Sequence, residues 1–356
     1  VADRTTELTR MLGIDHPIVL GPFGGLSSVE LTAAVSELGG LGSFGLYGFD
    51  AGRIAEAAAA IRAATGRPFN LNVWLPVEAD AAADAPLAPD GFTSAVDAVR
   101  PYFEEVGVPV PSAPPAAYLP SFEEQWTAVL EARPAVASFV FGVPSADVVE
   151  QARARGIRLV GTATSVDEAV ALEASGVDAI VATGLEAGGH RVSFLRPAEQ
   201  SLIGSISLIP QVVDAVSVPV IAAGGIADRR GVAAALALGA SGVQVGTAFL
   251  RARQSATNDA HRAAIAGTAA HETVLTRAMS GRLARGARNR VVREIEASGA
   301  IAPFPVQNWL TGKFRAEAVR QGRGELQSLW MGQSAPLAVH EDVRDVFAEL
   351  VAGLSG

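Results

Sequence analysis

The stretch Val218-Pro219-Val220-Ile221-Ala222-Ala223-Gly224-Gly225-Ile226-Ala227-Asp228 decides how this chain folds. Its first half is a short apolar run without polar alternation, which reads as a strand buried on both faces of a parallel sheet. A glycine pair turns the chain, an Ala-rich helical pattern follows over 230–238, and Gly239 stands where a helix C-terminus wants glycine. The next apolar run, 242–245, ends in another glycine turn, Gln244-Val245-Gly246-Thr247-Ala248. Strand, turn, helix and strand form one βαβ unit.

Outward from this unit the same rhythm recurs. Strands are expected at 18–20, 41–44, 69–73, 138–141, 158–161, 179–182, 218–222 and 242–245, with helices over 28–38, 51–64, 146–155, 166–175 and 230–238. Ser165 stands three residues before Glu168, a capping-box spacing, and Gly156 and Gly176 close helices as Gly239 does. Eight such units close into a (β/α)8 barrel or lie open as a doubly wound sheet. The units are compact and alike, and glycine-rich turns follow several different strands, whereas an open sheet gathers its site at one switch point. The reading is therefore an α/β protein: a (β/α)8 TIM barrel over residues 12–250 with an insertion at 76–121, then a mainly helical extension at 251–356. A barrel needs about 250 residues, so insertion and extension are expected on the substrate side, the extension partly completing the barrel and covering the active site. Within the insertion a helix is expected over 93–106, while the Pro-rich run 108–115 reads equally well as linker.

Composition narrows the chemistry. Of 356 residues, 49% are apolar, enough for a large core without staples. No cysteine is present, which excludes disulfides, thiolate nucleophiles and Cys-based metal or iron–sulfur sites. The five histidines show no HxH or HExxH spacing, and no GxSxG elbow occurs, so neither a metal site nor a serine hydrolase is expected. A formal charge of −9 without an extended basic block argues against nucleic acid as partner. Val1 to Arg10 is polar, and no apolar run has the length of a membrane span. The expected setting is the cytoplasm, with no membrane partner.

The glycine-rich turns carry the candidate site. Gly224-Gly225 and Gly246-Thr247 follow the last two strands, the first turn running into a helix, which is where a barrel binds phosphate. Thr183-Gly184-Leu185-Glu186-Ala187-Gly188-Gly189-His190-Arg191 follows the sixth strand; paired glycines let backbone approach a flat ring or a phosphate. Gly21-Pro22-Phe23-Gly24-Gly25 follows the first strand, and Asn72 stands at the end of the third, where an amide can donate to and accept from a heterocycle edge. A loop-capping asparagine and a tight turn with a surface histidine remain the plain alternatives for Asn72 and His190.

Taken together, Pro22 to Gly25, Asn72, Gly184 to Arg191, Pro210 to Asp214, Ala222 to Ile226, Gln244 to Phe249, Ser280 to Arg285 and Trp330 to Gln333 resemble nitronate monooxygenase, formerly called 2-nitropropane dioxygenase. The resemblance spans about residues 12–335. It implies an FMN-dependent oxidoreductase with His190 as the active-site histidine. It further implies that Gln211, Gly225 and the turn Gln244, Val245, Gly246 and Thr247 surround the FMN phosphate and ribityl chain. Asn72 would lie near the ring, Pro22, Phe23 and Gly24 beneath it, and Gly188, Gly189 and Gly224 in the turns that approach the cofactor. The implied reaction is oxidative denitrification of an alkyl nitronate, or of a nitroalkane, with O2 to a carbonyl compound and nitrite. An NAD(P)H-dependent reductase acting on enoyl thioesters or quinones shares much of the same frame. A histidine, with a reference pKa of about 6.5, can take a proton from an acidic carbon or hydrogen-bond to nitro oxygens, with Glu186 or Arg191 as candidate modulators. The family commonly has Met where this chain has Phe23, and many members have Gly where it has Val192, departures that bear on substrate identity.

Overall fold

The computed structural model describes residues 2–76 and 89–355. Its strands in chain order are β1 (Ile18–Leu20), β2 (Gly42–Gly45), β3 (Phe69–Trp74), β4 (Val136–Val140), β5 (Arg158–Ala163), β6 (Ala179–Thr183), β7 (Gly189–His190), β8 (Val220–Ala223), β9 (Gly242–Val245), β10 (Thr273–Thr276) and β11 (Ala284–Ala287). Eight of them form one parallel sheet in the order β1-β9-β8-β6-β5-β4-β3-β2. Leu20 N donates to Leu41 O and Leu41 N to Ile18 O, which brings β1 to the foot of β2 and closes the ring. The expected barrel is present, its first and last strands at 18–20 and 242–245 as read from the sequence.

Residue parity explains the barrel's two surfaces, because successive side chains of a strand point to opposite faces. Ile18, Leu71, Phe139, Leu159, Ile180, Val220 and Val243 point outward into the main core shared with the surrounding helices. Val19, Leu41, Val136, Val160, Val181 and Ile221 point inward and pack on one another and on Leu8 and Leu12 of the helix Ala2–Leu12, which plugs the amino end. The sequence reading had no helix there. Gly242 leaves room for that helix: a Cβ on it would lie 2.6 Å from Leu8 Cδ2 and 2.7 Å from Pro17 O. Toward the carboxyl ends the inward positions turn polar, with Asn70, Asn72, Ser138, Thr162 and Thr183 all buried. The barrel is dry at its foot and polar at its mouth.

The helices begin at side-chain caps, Ser165 among them as expected. Ser28, Asp50, Ser145, Ser165 and Asp228 each accept a backbone N–H of the first turn. The capping box at Ser165 is half formed: its side chain accepts from Glu168 N, but the Glu168 carboxylate accepts instead from Thr164 N and from Phe194 N and Leu195 N. That buried carboxylate therefore ties the loop after β7 to the helix Val166–Ser175. Gly156, Gly176 and Gly239 have φ of +70°, +92° and +94°, as closing glycines require.

The segments outside the barrel form a second core. Phe92, Val99 and Phe103 of the helix Pro89–Val106 pack with Val291 and Ile295 of the helix Arg290–Ser298 and with Leu310 and Phe314 of the helix Val306–Arg320. Insertion and extension thus share one apolar cluster, although they lie some two hundred residues apart. The Pro-rich run 108–115 is part of it, since Val108 and Val110 pack on this cluster; residues 77–88 of the insertion lie outside the described residues. β10, β11 and β7 make an antiparallel sheet that pairs His190 with Ala284 and so couples the loop after β6 to the extension. The chain then returns: the helix Val343–Val351 packs against the helices Val29–Glu37 and Arg229–Ala237, filling the gap left by the last barrel unit.

Candidate functional site

The polar mouth of the barrel holds a cavity of about 480 Å³, a volume suited to a small organic ligand. The inward ends of five strands, Asn72, Ser138, Thr162, Thr183 and Gln244, make its floor. Loops after the strands supply one wall, and Asn308, Arg315, Ser328 and Trp330 to Gly332 of the extension supply the other. Among the described residues that line it there is no carboxylate, and none of them forms a metal-binding cluster.

Most sequence-expected residues meet here. Pro22, Phe23, Gly24, Asn72, Gly188, Gly189, His190, Gly224, Gly225, Gln244, Gly246 and Thr247 all line the cavity. Asn72 Nδ2 donates to Ser138 Oγ at 3.0 Å, which fixes the amide at the floor. Two expected cofactor contacts fall elsewhere. Gln211 is exposed on the helix Ser205–Ala215, its amide donating to Ser207 O at 2.5 Å. That helix turns Leu208, Ile209, Val212 and Val213 toward the barrel, so position 211 faces away from the mouth. Val245 has outward parity and packs in the main core; it serves the site only through its carbonyl, which accepts from Gly21 N at 2.8 Å.

The glycines act for different reasons. Gly224 and Gly225 have φ of +94° and +75°, a left-handed turn that other residues adopt at a cost. The N–H groups of Gly225 and Ile226 donate to no acceptor within the described chain, which leaves two donors at the cavity wall. The first turn of the following helix does not add to them, because Asp228 already accepts from Arg230 N and Gly231 N. The unpaired donors lie in the glycine turn, and the helix terminus expected to add to them is already satisfied. At Gly188 a Cβ would lie 2.5 Å from the carbonyl carbon of Met331, so this glycine lets the loop pack against the extension.

His190 is held by packing. Its Nε2 lies 2.9 Å from Ser280 Oγ, and its ring stands edge-on to Trp74 with centroids 5.2 Å apart and 5.7 Å from that of Trp330. Burial, and then the positive charges of Arg282 and Arg315, push its pKa down to about 3. The part of the ring that remains open faces the cavity. At neutral pH the imidazole is uncharged, with Nε2 engaged and Nδ1 left for a ligand. Neither modulator expected from the sequence touches it. Arg191 donates to Gly184 O at 2.7 Å and to Ser201 O at 3.1 Å, and Glu186 accepts from Ser205 N at 2.9 Å, so both brace the loop from behind.

The profile of the nitronate monooxygenase family matches residues 5–353. The chain belongs to that family. It is similar to a probable nitronate monooxygenase of Staphylococcus aureus (strain JH9), 39% identical over 97% of this chain and 96% of the relative. Among solved structures it resembles a nitroalkane oxidase from Streptomyces ansochromogenes, with 34% identity, a TM-score of 0.88 and coverage of 98% and 97% of the two chains. FabK from Thermotoga maritima shares the fold at 28% identity and a TM-score of 0.76, covering 98% of this chain and 96% of its own. A nitronate monooxygenase family member is an oxidoreductase.

In this nitronate monooxygenase family protein several lining residues lie beyond the sequence reading. Tyr47, at the end of β2, lies 4.4 Å from Trp74 by ring centroids and accepts from Asn308 Nδ2 at 2.7 Å. Arg315 donates to Asn308 Oδ1 at 2.9 Å and to Ser328 Oγ at 2.6 Å. Ser280 and Trp330 fall in stretches that carried the resemblance. Tyr47, Asn308 and Arg315 had no such signal: each is an ordinary residue of a loop or helix until the fold sets it at the mouth. No helix among the described residues is long and apolar enough to cross a membrane.

Proposed function

We propose that this chain holds FMN in the barrel mouth and oxidises alkyl nitronates with O2 to a carbonyl compound and nitrite. The observation that carries this is a neutral His190 on the wall of an acid-free cavity that also contains the Gly224-Gly225 turn. The residues fit the cofactor. The free N–H groups of Gly225 and Ile226 suit phosphate oxygens, the polar floor at Asn72 and Gln244 suits the edge of a heterocycle, and Phe23 gives it an apolar surface. FMN supplies the redox chemistry when bound, taking electrons from the substrate and passing them to O2.

The protein's own part is to bind and orient. A nitronate is planar and anionic, and it has already lost its proton. His190 has its Nε2 engaged with Ser280, and it donates from Nδ1 to a nitronate oxygen in the tautomer in which Ser280 turns its hydroxyl from Arg282 O to Nε2; while Ser280 donates to Arg282 O, Nδ1 is a bare acceptor. Proton abstraction from a neutral nitroalkane would create an imidazolium where burial and two arginines oppose it. This favours the nitronate as the substrate, with His190 as its orienting hydrogen-bond partner in the Nδ1–H tautomer.

The test is anaerobic mixing of the oxidised holoenzyme with a nitronate and, separately, with NADH or NADPH, while flavin absorbance is followed. Bleaching by the nitronate supports the proposal. Rapid bleaching by a nicotinamide alone would replace it with a reductase, and protein that carries no FMN and cannot be reconstituted would end it.

A further inference from the structure

Arg315 is a cation without a counter-ion. None of the carboxylates of the described residues pairs with it; its partners are the neutral Asn308 and Ser328. Its Nε is buried with no partner at all. Burial lowers its pKa to about 10, so it keeps its charge at neutral pH. A half-buried charge left without a counter-ion is costly, and a protein retains one where something else supplies the opposite charge.

Its place in the fold says what that is. Arg315 lines the main cavity and also a shallower depression of about 340 Å³ that leads outward past Tyr118 and Lys313. The two spaces meet at Tyr47, Asn308 and Arg315. Neither has a carboxylate among its described lining residues, and the outer one adds a second cation, Lys313. In the strand order, β3, beside whose Trp74 this group sits, is four steps from β8, which carries the Gly224-Gly225 turn. Arg315 therefore stands across the mouth from the phosphate-binding turn and is free to serve a different anion.

We propose that Arg315 is the specificity-determining residue of this site: it supplies the positive charge that draws in and retains the anionic nitronate in preference to the neutral nitroalkane. The proposal rests on the nitronate reading above. The nitronate's two oxygens share one negative charge in a plane, as a carboxylate's do, and a guanidinium complements that distribution where an ammonium offers only a point charge. The outer depression that shares Arg315 carries one further cation, Lys313, and no carboxylate among its described lining residues.

The experiment compares wild-type holoenzyme with Arg315→Met and Arg315→Lys. Losing one charge-assisted contact corresponds to roughly 10- to 100-fold in affinity. Arg315→Met is expected to raise KM for the nitronate by about that factor, to leave KM for the neutral nitroalkane within about threefold, and to keep its FMN; Arg315→Lys is expected to recover part of the loss. A binding readout free of turnover uses nitrate, a planar anion, titrated against the fluorescence of Trp74 and Trp330 in the cavity wall. Wild type is expected to show a saturable change that nitronate competes away and Arg315→Met to lack it. Equal rises in KM for both substrates, or undiminished nitrate binding in Arg315→Met, would overturn the proposal. Should Arg315→Met not fold, wild type decides: nitrate that does not compete with nitronate overturns it. If wild type fails to oxidise nitronates while nitrate binding still depends on Arg315, the anion site stands and the nitronate reading fails; the opposite pattern spares the reaction and removes Arg315.

Discussion

His190 shows how far a residue's chemistry depends on its surroundings. In water an imidazole titrates near pH 6.5; here burial and the charges of Arg282 and Arg315 hold it neutral down to about pH 3. The expected consequence is a pH profile of kcat/KM for preformed nitronate that has no inflection near 6.5 attributable to this residue. An inflection there that vanishes in His190→Ala would show that the imidazole titrates in the working enzyme and would restore its role as a base. His190→Ala itself is expected to slow nitronate turnover by roughly 10- to 100-fold, the scale of a lost orienting hydrogen bond in a closed site. Gly225 is constrained by backbone instead. A Cβ there would meet only ordinary contacts with Glu186, but φ of +75° is poor for any other residue and worst for a β-branched one. Gly225→Val is expected to lower the FMN carried per protein, read as flavin absorbance against protein absorbance, while the fold survives. Of the residues named from sequence, those on strand ends and turns reach the cavity, except Val245, whose parity on its strand turns it outward into the core. Gln211 does not, because a residue on a barrel's outer helix can match a motif and still face solvent.

At the scale of elements, the barrel depends on a plug at its foot. Leu8 of the helix Ala2–Leu12 is fully buried among the inward residues of the strands, with a contact at Gly242 too close for any side chain. Leu8→Ala is expected to cost about 2–5 kcal/mol of stability, measured by denaturant unfolding, with FMN binding in the folded fraction unchanged. The mouth is far from this helix, so a loss of cofactor affinity without a loss of stability would contradict the assignment. The covering elements follow the opposite logic. Glu105 of the helix Pro89–Val106 accepts from Arg290 and Arg323, tying the insertion to the extension. The Arg290 and Arg323 guanidiniums hold its carboxyl below the usual range. Such part-exposed pairs contribute little each, about 1 kcal/mol or less. The shared apolar cluster around Phe103, Leu310 and Phe314 does most of the joining.

The whole molecule should be acid-sensitive for a reason that lies in its histidines. Burial also lowers the pKa of His261, to about 4, and its Nε2 lies 2.8 Å from Trp330 O. Both histidines have folded pKa values below the unfolded value, so the unfolded chain binds the extra protons first. Their contribution to stability is complete above about pH 6.5 and is lost progressively as pH falls toward 4 and 3. The melting temperature is expected to drop across that window, and His261→Gln should flatten the drop while lowering stability at pH 7. An unchanged profile in that variant would mean that His261 is protonated or exposed in the folded protein.

The sequence by itself determined the barrel and the face that works. Buried parallel strands need unbroken apolar runs, helices need caps, and left-handed turns need glycine; all of these are local demands that leave marks in the chain. From them followed the strands at Ile18–Leu20 and Gly242–Val245 and the glycine turns at the mouth. Tertiary structure alone decided who faces whom. The plug Ala2–Leu12 carries its apolar residues in a pattern any surface helix could show, and only closure of the ring gives them a hole to fill. Arg315 sits on a helix among other charged residues, and nothing local distinguishes it from Arg320 five positions later, which is exposed. Asn308, seven residues earlier on the same helix, holds Arg315, and the folding of the extension over the barrel sets Asn308 on Tyr47 and Arg315 at the cavity. Its burial, its missing counter-ion and its effect on His190 arise from contacts across more than a hundred residues of chain, which no local pattern records.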